Sequence, residues 1–140
     1  MYNPQPLYIS IDQERVMTEN AIKPTDIKLH QKSHMLEISF EDGKTFELPC
    51  EYLRCFSPSA EVRGHGPGEE TLQVGKENVN VKGIEPVGNY AVVLQFDDGH
   101  DTGIYSWQTL YELGENQEKY WQEYLDKLEA AGHKRKAIKQ

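Results

Sequence analysis

The side chains in this chain that could do chemistry are few: five histidines, two cysteines, and the acids gathered at two Asp-Gly dipeptides. The densest group is Asp97-Asp98-Gly99-His100-Asp101, one imidazole among three carboxylates, a donor set able to take a hard or borderline divalent metal. Asp-Gly turns are also acidic for a local reason, because the Asp side chain bonds the backbone two residues on, and that reading is preferred here. His65 sits in Ser57-Pro58-Ser59-Ala60-Glu61-Val62-Arg63-Gly64-His65-Gly66-Pro67-Gly68, where three glycines and two prolines argue against regular structure and for an ordered loop of the kind that carries function. An imidazole at His65 or His100 titrates in the range that suits a general base, which leaves a small-molecule enzyme as a third and weaker reading with no substrate named. His30 and His34 are four apart, but they lie in strand-turn-strand sequence, where that spacing puts nothing on one face; they read as surface turn residues.

Cys50 and Cys55 are too few for a secreted disulfide framework or a four-thiolate zinc site, so packed thiols are the preferred reading. For Cys55 the neighbours pull in opposite directions: the cation of Arg54 favours thiolate, and Phe56 implies an apolar setting that disfavours it. Nucleotide-binding templates fail position by position. Gly64-x-Gly66-x-x-Glu69 lacks the third glycine of a dinucleotide fingerprint, and Gly75-Lys76 has Glu70 where a phosphate loop needs Gly and Glu77 where it needs Ser or Thr. A Ser/His/acid relay cannot be assigned by spacing, because its members meet in space and not along the chain.

These residues need a scaffold, and 140 residues suffice for one compact domain with a real core. The formal charge is −8; four of the 15 Lys and Arg fall after residue 132, where there is no acid, leaving 11 cations against 23 acids in residues 1–132. An acidic body repels phosphate backbones, so nucleic acid is not expected as a partner. No window resembles a membrane span or a signal peptide, which makes a cytoplasmic protein with no membrane partner the expectation.

Leu7, Ile9 and Ile11 alternate with polar residues and suggest a short strand in an N-terminal extension, 1–24. Ile27 and Leu29, then Leu36, Ile38 and Phe40, mark half-buried strands; Asp42-Gly43 supplies a tight turn; Thr45 to Leu48 returns; and Glu51 to Phe56 suits a helical turn. Val79 to Leu113 repeats this order about 56 residues later. Val92, Leu94 and Phe96 correspond to Leu36, Ile38 and Phe40, Asp98-Gly99 to Asp42-Gly43, Ile104 to Leu48 and, after one inserted residue, Leu110 to Leu53. The expected fold is therefore α+β, with antiparallel strands in two hairpin-plus-short-helix halves. A C-terminal amphipathic helix, capped by Asn116 and stopped by Gly132, carries Tyr120, Tyr124 and Leu128 on one stripe, and residues 133–140 form a frayed basic tail.

Glu51-Tyr52-Leu53-Arg54, the Ser57 to Gly66 stretch, Ile84-Glu85-Pro86-Val87-Gly88 and Phe96-Asp97-Asp98-Gly99-His100-Asp101-x-Gly103-x-Tyr105-Ser106-Trp107 together resemble the gamma-butyrobetaine hydroxylase-like N-terminal domain family, in its small stand-alone bacterial form. The resemblance covers residues 25–132. In the hydroxylases that give the family its name, this domain precedes a separate iron and 2-oxoglutarate oxygenase domain, which is absent here, and holds zinc through three cysteines and a histidine. The resemblance places the zinc histidine at His100 and the cysteine-rich stretch at Leu53 to Ser59, where Cys55 alone is a cysteine; Cys50 matches no ligand. A structural zinc site wants four ligands, so this set is at least two short. Other relatives are joined to, or accompany, P-loop ATPases of the iron-sulfur cluster carrier type, which implies a protein-interaction role in cluster assembly.

The leading expectation is a non-catalytic accessory domain that binds a protein partner through Arg54, Glu61, Arg63, His65, Asp98, His100 and Tyr105, with no catalytic residue assigned. Tyr105 and Trp107 serve as exposed anchors in that reading and as core in the blander one. The competing expectation is a degenerate zinc or other divalent-metal site drawn from His100, Cys55, His65, Asp98 and Asp101.

Overall fold

A computed structural model describes residues 22–66 and 68–136; the strand expected at Leu7 to Ile11 lies outside them. The first half consists of β1 (Pro24–His30), β2 (Met35–Phe40) and β3 (Thr45–Pro49), followed by α1 (Cys50–Cys55) and a four-residue α2 (Ala60–Arg63). The second consists of β4 (Val81–Val87), β5 (Ala91–Phe96) and β6 (Ile104–Ser106), followed by α3 (Trp107–Glu115) and α4 (Gln117–Ala130). Each set of strands is a separate antiparallel sheet in chain order, giving an α+β fold.

The central strands carry the core because their alternation points one row inward: Leu36, Ile38 and Phe40 from β2 and Val92, Leu94 and Phe96 from β5 are all buried. Burying a side chain of this size contributes about 1.5–3 kcal/mol. The turns match closely. Gly43 and Gly99 take φ of 89° and 91°, where a Cβ would be strained. In both, the glycine N–H donates to the last strand residue, Phe40 or Phe96, and the Asp carboxylate accepts the N–H two residues on, from Lys44 at 3.0 Å and from His100 at 3.2 Å. Even the irregularities repeat, with a bulge at Pro24/Asp26 on β1 and at Val81/Gly83 on β4.

The repeat corrects one expected equivalence. Leu48 pairs with Leu36, whereas the residue pairing with Val92 is Tyr105. Tyr105 is fully buried and Ile104 is 50% exposed. The extra residue lies in the longer loop between β5 and β6, ahead of the strand, so the inward row shifts by one.

The glycine-rich stretch is not wholly irregular: Ser59 accepts the Glu61 N–H with its hydroxyl and starts α2, and Gly64, at φ 74°, ends it. Asn116 makes no side-chain cap on α4; its amide donates to the Glu112 carbonyl and so finishes α3. Gly132 stops α4 as expected, with its own N–H and that of His133 closing on Glu129 and Leu128 while φ is 81°. Tyr124 and Leu128 form the buried stripe of α4. The start of the basic tail is held against the body by Arg135, which pairs with Glu51. Among the described residues no helix is long and apolar enough to cross a membrane.

Candidate functional site

The turn between β5 and β6 meets the segment after α1, and the residues singled out for chemistry divide there into two linked networks. In the first, the Arg54 Nε donates to Asp98 Oδ2 at 2.9 Å, its Nη1 donates to Gln73 Oε1 at 3.0 Å, and Lys76 Nζ donates to the same Asp98 oxygen at 2.7 Å. Arg54 lies near the end of α1, and its guanidinium ties that helix to Gln73 in the linker, the segment that leads from α2 to β4, and to the turn between β5 and β6. Burial acts to raise the Asp98 pKa, but the bonds from Lys76, the His100 backbone and Arg54 outweigh it and hold the carboxyl at about 2.

In the second network, Ser57 Oγ and His100 Nε2 are 2.8 Å apart, and His100 Nδ1 lies 3.1 Å from Glu61 Oε1. Ser59 and Thr102 hydroxyls meet at 2.7 Å beside them, and Thr102 also donates to Glu61. Serine, histidine and carboxylate in this order have the connectivity of a nucleophile relay. The access is wrong for that chemistry. Ser57 has 0% exposure, its Oγ already accepts the Ser59 N–H, and a Cβ at Gly103 would lie 2.4 Å from it, so no space for a substrate carbonyl adjoins the hydroxyl. Burial, assisted by the Arg54 charge, pushes the His100 pKa below its ordinary value; Glu61 opposes this, but its side chain is 66% exposed and screened by solvent.

The metal reading does not fit these donors. Both nitrogens of His100 are engaged by Ser57 and Glu61. Cys55 packs instead with Tyr124 and Leu128 in a separate apolar cluster, and burial raises its thiol to about 12. Cys50 is likewise free, buried and raised to about 11. Of the two opposing influences on Cys55, the apolar setting wins over Arg54. Among the described residues there is no group of three or more His, Cys, Asp or Glu able to hold a metal ion.

Of the expected partner-binding residues, Arg54, His100 and Tyr105 are buried and present no face; Tyr105 is core, and its hydroxyl donates to the Leu53 carbonyl at 2.6 Å. Trp107 is half-buried, with its indole N–H on the Asn89 carbonyl. Glu61, Arg63, His65, Asp98 and Asp101 are solvent-exposed, Asp98 while engaged by Arg54 and Lys76. The structure brings His100 together with Glu61, and Asp98 with Arg54. No hydrogen bond or ion pair joins the His65 ring to His100 among the described residues; the His65 backbone N–H bonds Glu69. Ser57 and Gln73 were missed by sequence reasoning. The signal that could have found Ser57 is the repeat itself, which places His100 at the turn position of Lys44.

Beside the loop, Phe56, Val62, Arg63, Leu72, Tyr124 and Lys127 line a cleft of about 250 Å³ between the linker and α4. It has room for one side chain of a partner, not for a bound cofactor of ordinary size.

The family described as gamma-butyrobetaine hydroxylase-like, N-terminal, matches residues 27–111. A protein solved in solution by NMR is 48% identical, with 97% of this chain and 95% of that chain covered and a TM-score of 0.74. A second NMR structure is 43% identical over 86% of this chain and 94% of that one, with a TM-score of 0.72. A crystal structure of a protein of unknown function from Acidithiobacillus ferrooxidans, of the DUF971 family, is 38% identical, covers 66% of this chain and 92% of that one, and has a TM-score of 0.56. No curated protein matches.

Proposed function

Since this chain belongs to the gamma-butyrobetaine hydroxylase-like, N-terminal family, we propose that it is a cytoplasmic, non-catalytic accessory domain that docks on a protein partner through the tip of the 57–70 loop. The observation that carries this reading is the contrast between the base of the loop and its tip. Ser57–His100 and Ser59–Thr102 pin the base to the second hairpin, while Glu61, Arg63 and His65 stand exposed beside the small cleft. A loop ordered in advance loses little conformational entropy on binding, and Arg is a favoured interface anchor. The groups with chemical potential are committed elsewhere: the thiols are buried and raised, and the serine of the relay is covered.

The family resemblance directs the partner reading to a P-loop ATPase of the iron-sulfur carrier type, and the acidic body disfavours nucleic acid. Titration of the purified chain against such an ATPase tests it. Binding is expected to weaken about tenfold or more in the Arg63→Ala/His65→Ala variant, whose substitutions lie at exposed positions away from the core. Equal binding by the variant, or none by the wild-type chain, rules out this face or this partner respectively.

A further inference from the structure

Two further carboxylates are buried, Glu51 on α1 and Glu77 in the linker, at 6% and 7% exposure, and both are answered from the last described residues of the chain. Arg135 Nε donates to Glu51 Oε2 at 2.8 Å and its Nη2 donates to Oε1, a two-pronged fit of guanidinium to carboxylate. The guanidinium carbon lies 5.3 Å from the centroid of the Trp121 ring on α4. One residue on, the Lys136 backbone N–H donates to Glu77 at 2.7 Å. Residues 133–136 form no helix or strand; beyond the His133 N–H that closes on Leu128 at the end of α4, these contacts tie the stretch to the body. The cavity next to it, about 600 Å³, is lined by Pro49, Tyr52, Gly114, Gln117, Trp121 and Arg135 itself.

We propose that this groove between α1 and α4 is an arginine-recognition site, filled in the isolated chain by Arg135, whose ligand in a complex is an arginine-bearing basic segment of a partner protein that displaces the tail. Three observations commit the site to that class. A buried carboxylate with both oxygens aligned for a fork, under an aromatic platform, selects guanidinium over ammonium. Glu115 and Glu118 also line the groove, and residues 1–132 carry 11 cations against 23 acids, so a second copy of this body is repelled where a basic segment is attracted. At about 600 Å³ the cavity also has room for residues flanking the arginine, and Arg135 is the one residue of the described stretch 133–136 that lines it. The site shares no residue with the loop tip, and its test stands or falls separately from the ATPase titration.

The experiment uses the full chain carrying Arg135→Ala, which leaves the fork empty, and a synthetic peptide of residues 133–140 as the probe, read by the Trp121 indole N–H in NMR. The peptide is expected to bind Arg135→Ala about tenfold tighter than the wild-type chain, where the tethered tail competes at high effective concentration. A peptide with Lys in place of its Arg is expected to bind about fivefold or more weakly, because an ammonium cannot reproduce the fork. Adding Glu51→Gln to Arg135→Ala is expected to abolish the difference between the two peptides. Equal binding of the Arg and Lys peptides overturns the proposal, as does equal binding by the wild-type and variant chains. Loss of the fold in Arg135→Ala also overturns it, since an occupant that a partner displaces cannot be one that the fold requires.

Discussion

The two halves hold each other by the same contacts made from different residues. In the first half the turn aspartate, Asp42, accepts the hydroxyl of Tyr111 on α3 at 2.6 Å, and Lys44 reaches Glu115 at the end of that helix. In the second half the turn aspartate, Asp98, accepts Arg54 on α1, and His100 reaches Ser57 just past that helix. Each helix thus grips the other half's turn. Tyr52 and Tyr105 complete the exchange, with hydroxyls on the carbonyls of Leu113 and Leu53. The difference is solvent. Lys44 and Glu115 side chains are 49% and 41% exposed, whereas Arg54 is 9% and His100 3%. The same geometry is an ordinary surface contact in one half and a buried network in the other, and the buried copy is the one attached to the glycine-rich loop.

Substitutions at equivalent positions therefore separate the halves. The largest effect is expected for Arg54→Ala, about 3 kcal/mol by urea denaturation, because a largely buried ion pair loses one member; Lys76 still partners Asp98, which keeps the loss at the low end for such pairs. Ser57→Ala is expected to cost about 1–3 kcal/mol by leaving the His100 Nε2 buried without its partner. A value near zero would mean that the loop base is not held by this bond.

Next is pH. His100 has a folded pKa below its ordinary value, so the unfolded chain takes up the proton first as pH falls. The contribution of His100 to stability is full above about pH 6.5 and declines below it, and His100→Gln is expected to flatten the stability profile between about pH 7 and 5. An unchanged slope in the variant would show that His100 does not govern it. Smallest are Tyr111→Phe and Lys44→Ala, for which no resolvable change in urea midpoint is expected, since exposed pairs contribute little. A clear loss in either would erase the distinction between the two turns.

Much of the architecture was readable in the chain, because strand alternation and Asp-Gly turns are local signals: β2, β3, β5 and both turns fall where Leu36 to Leu48 and Val92 to Gly99 place them. Ile104 aligns with Leu48 in the sequence yet faces outward, because a loop insertion shifts the period-two pattern without marking where it occurs. Asn116 has the right residue type for a start signal but lies between two helices, and its side chain serves the first. The candidate site was readable as a set of residues and not as a set of contacts. Arg54 meets Asp98 across 44 positions and Ser57 meets His100 across 43, distances over which no spacing rule operates. Burial divides the expected set, making Arg54, His100 and Tyr105 internal fasteners and leaving Glu61, Arg63, His65 and Asp98 exposed.

The exchanged grips also bear on how the molecule comes apart. Tyr52 reaches Leu113 and Tyr105 reaches Leu53, and the buried side chains of both sheets form one cluster, so each half completes the core of the other. Unfolding is accordingly expected to be all-or-none in spite of the two sheets. A backbone nick in the linker before β4 would yield two fragments that remain associated, each supplying the helix that closes its counterpart.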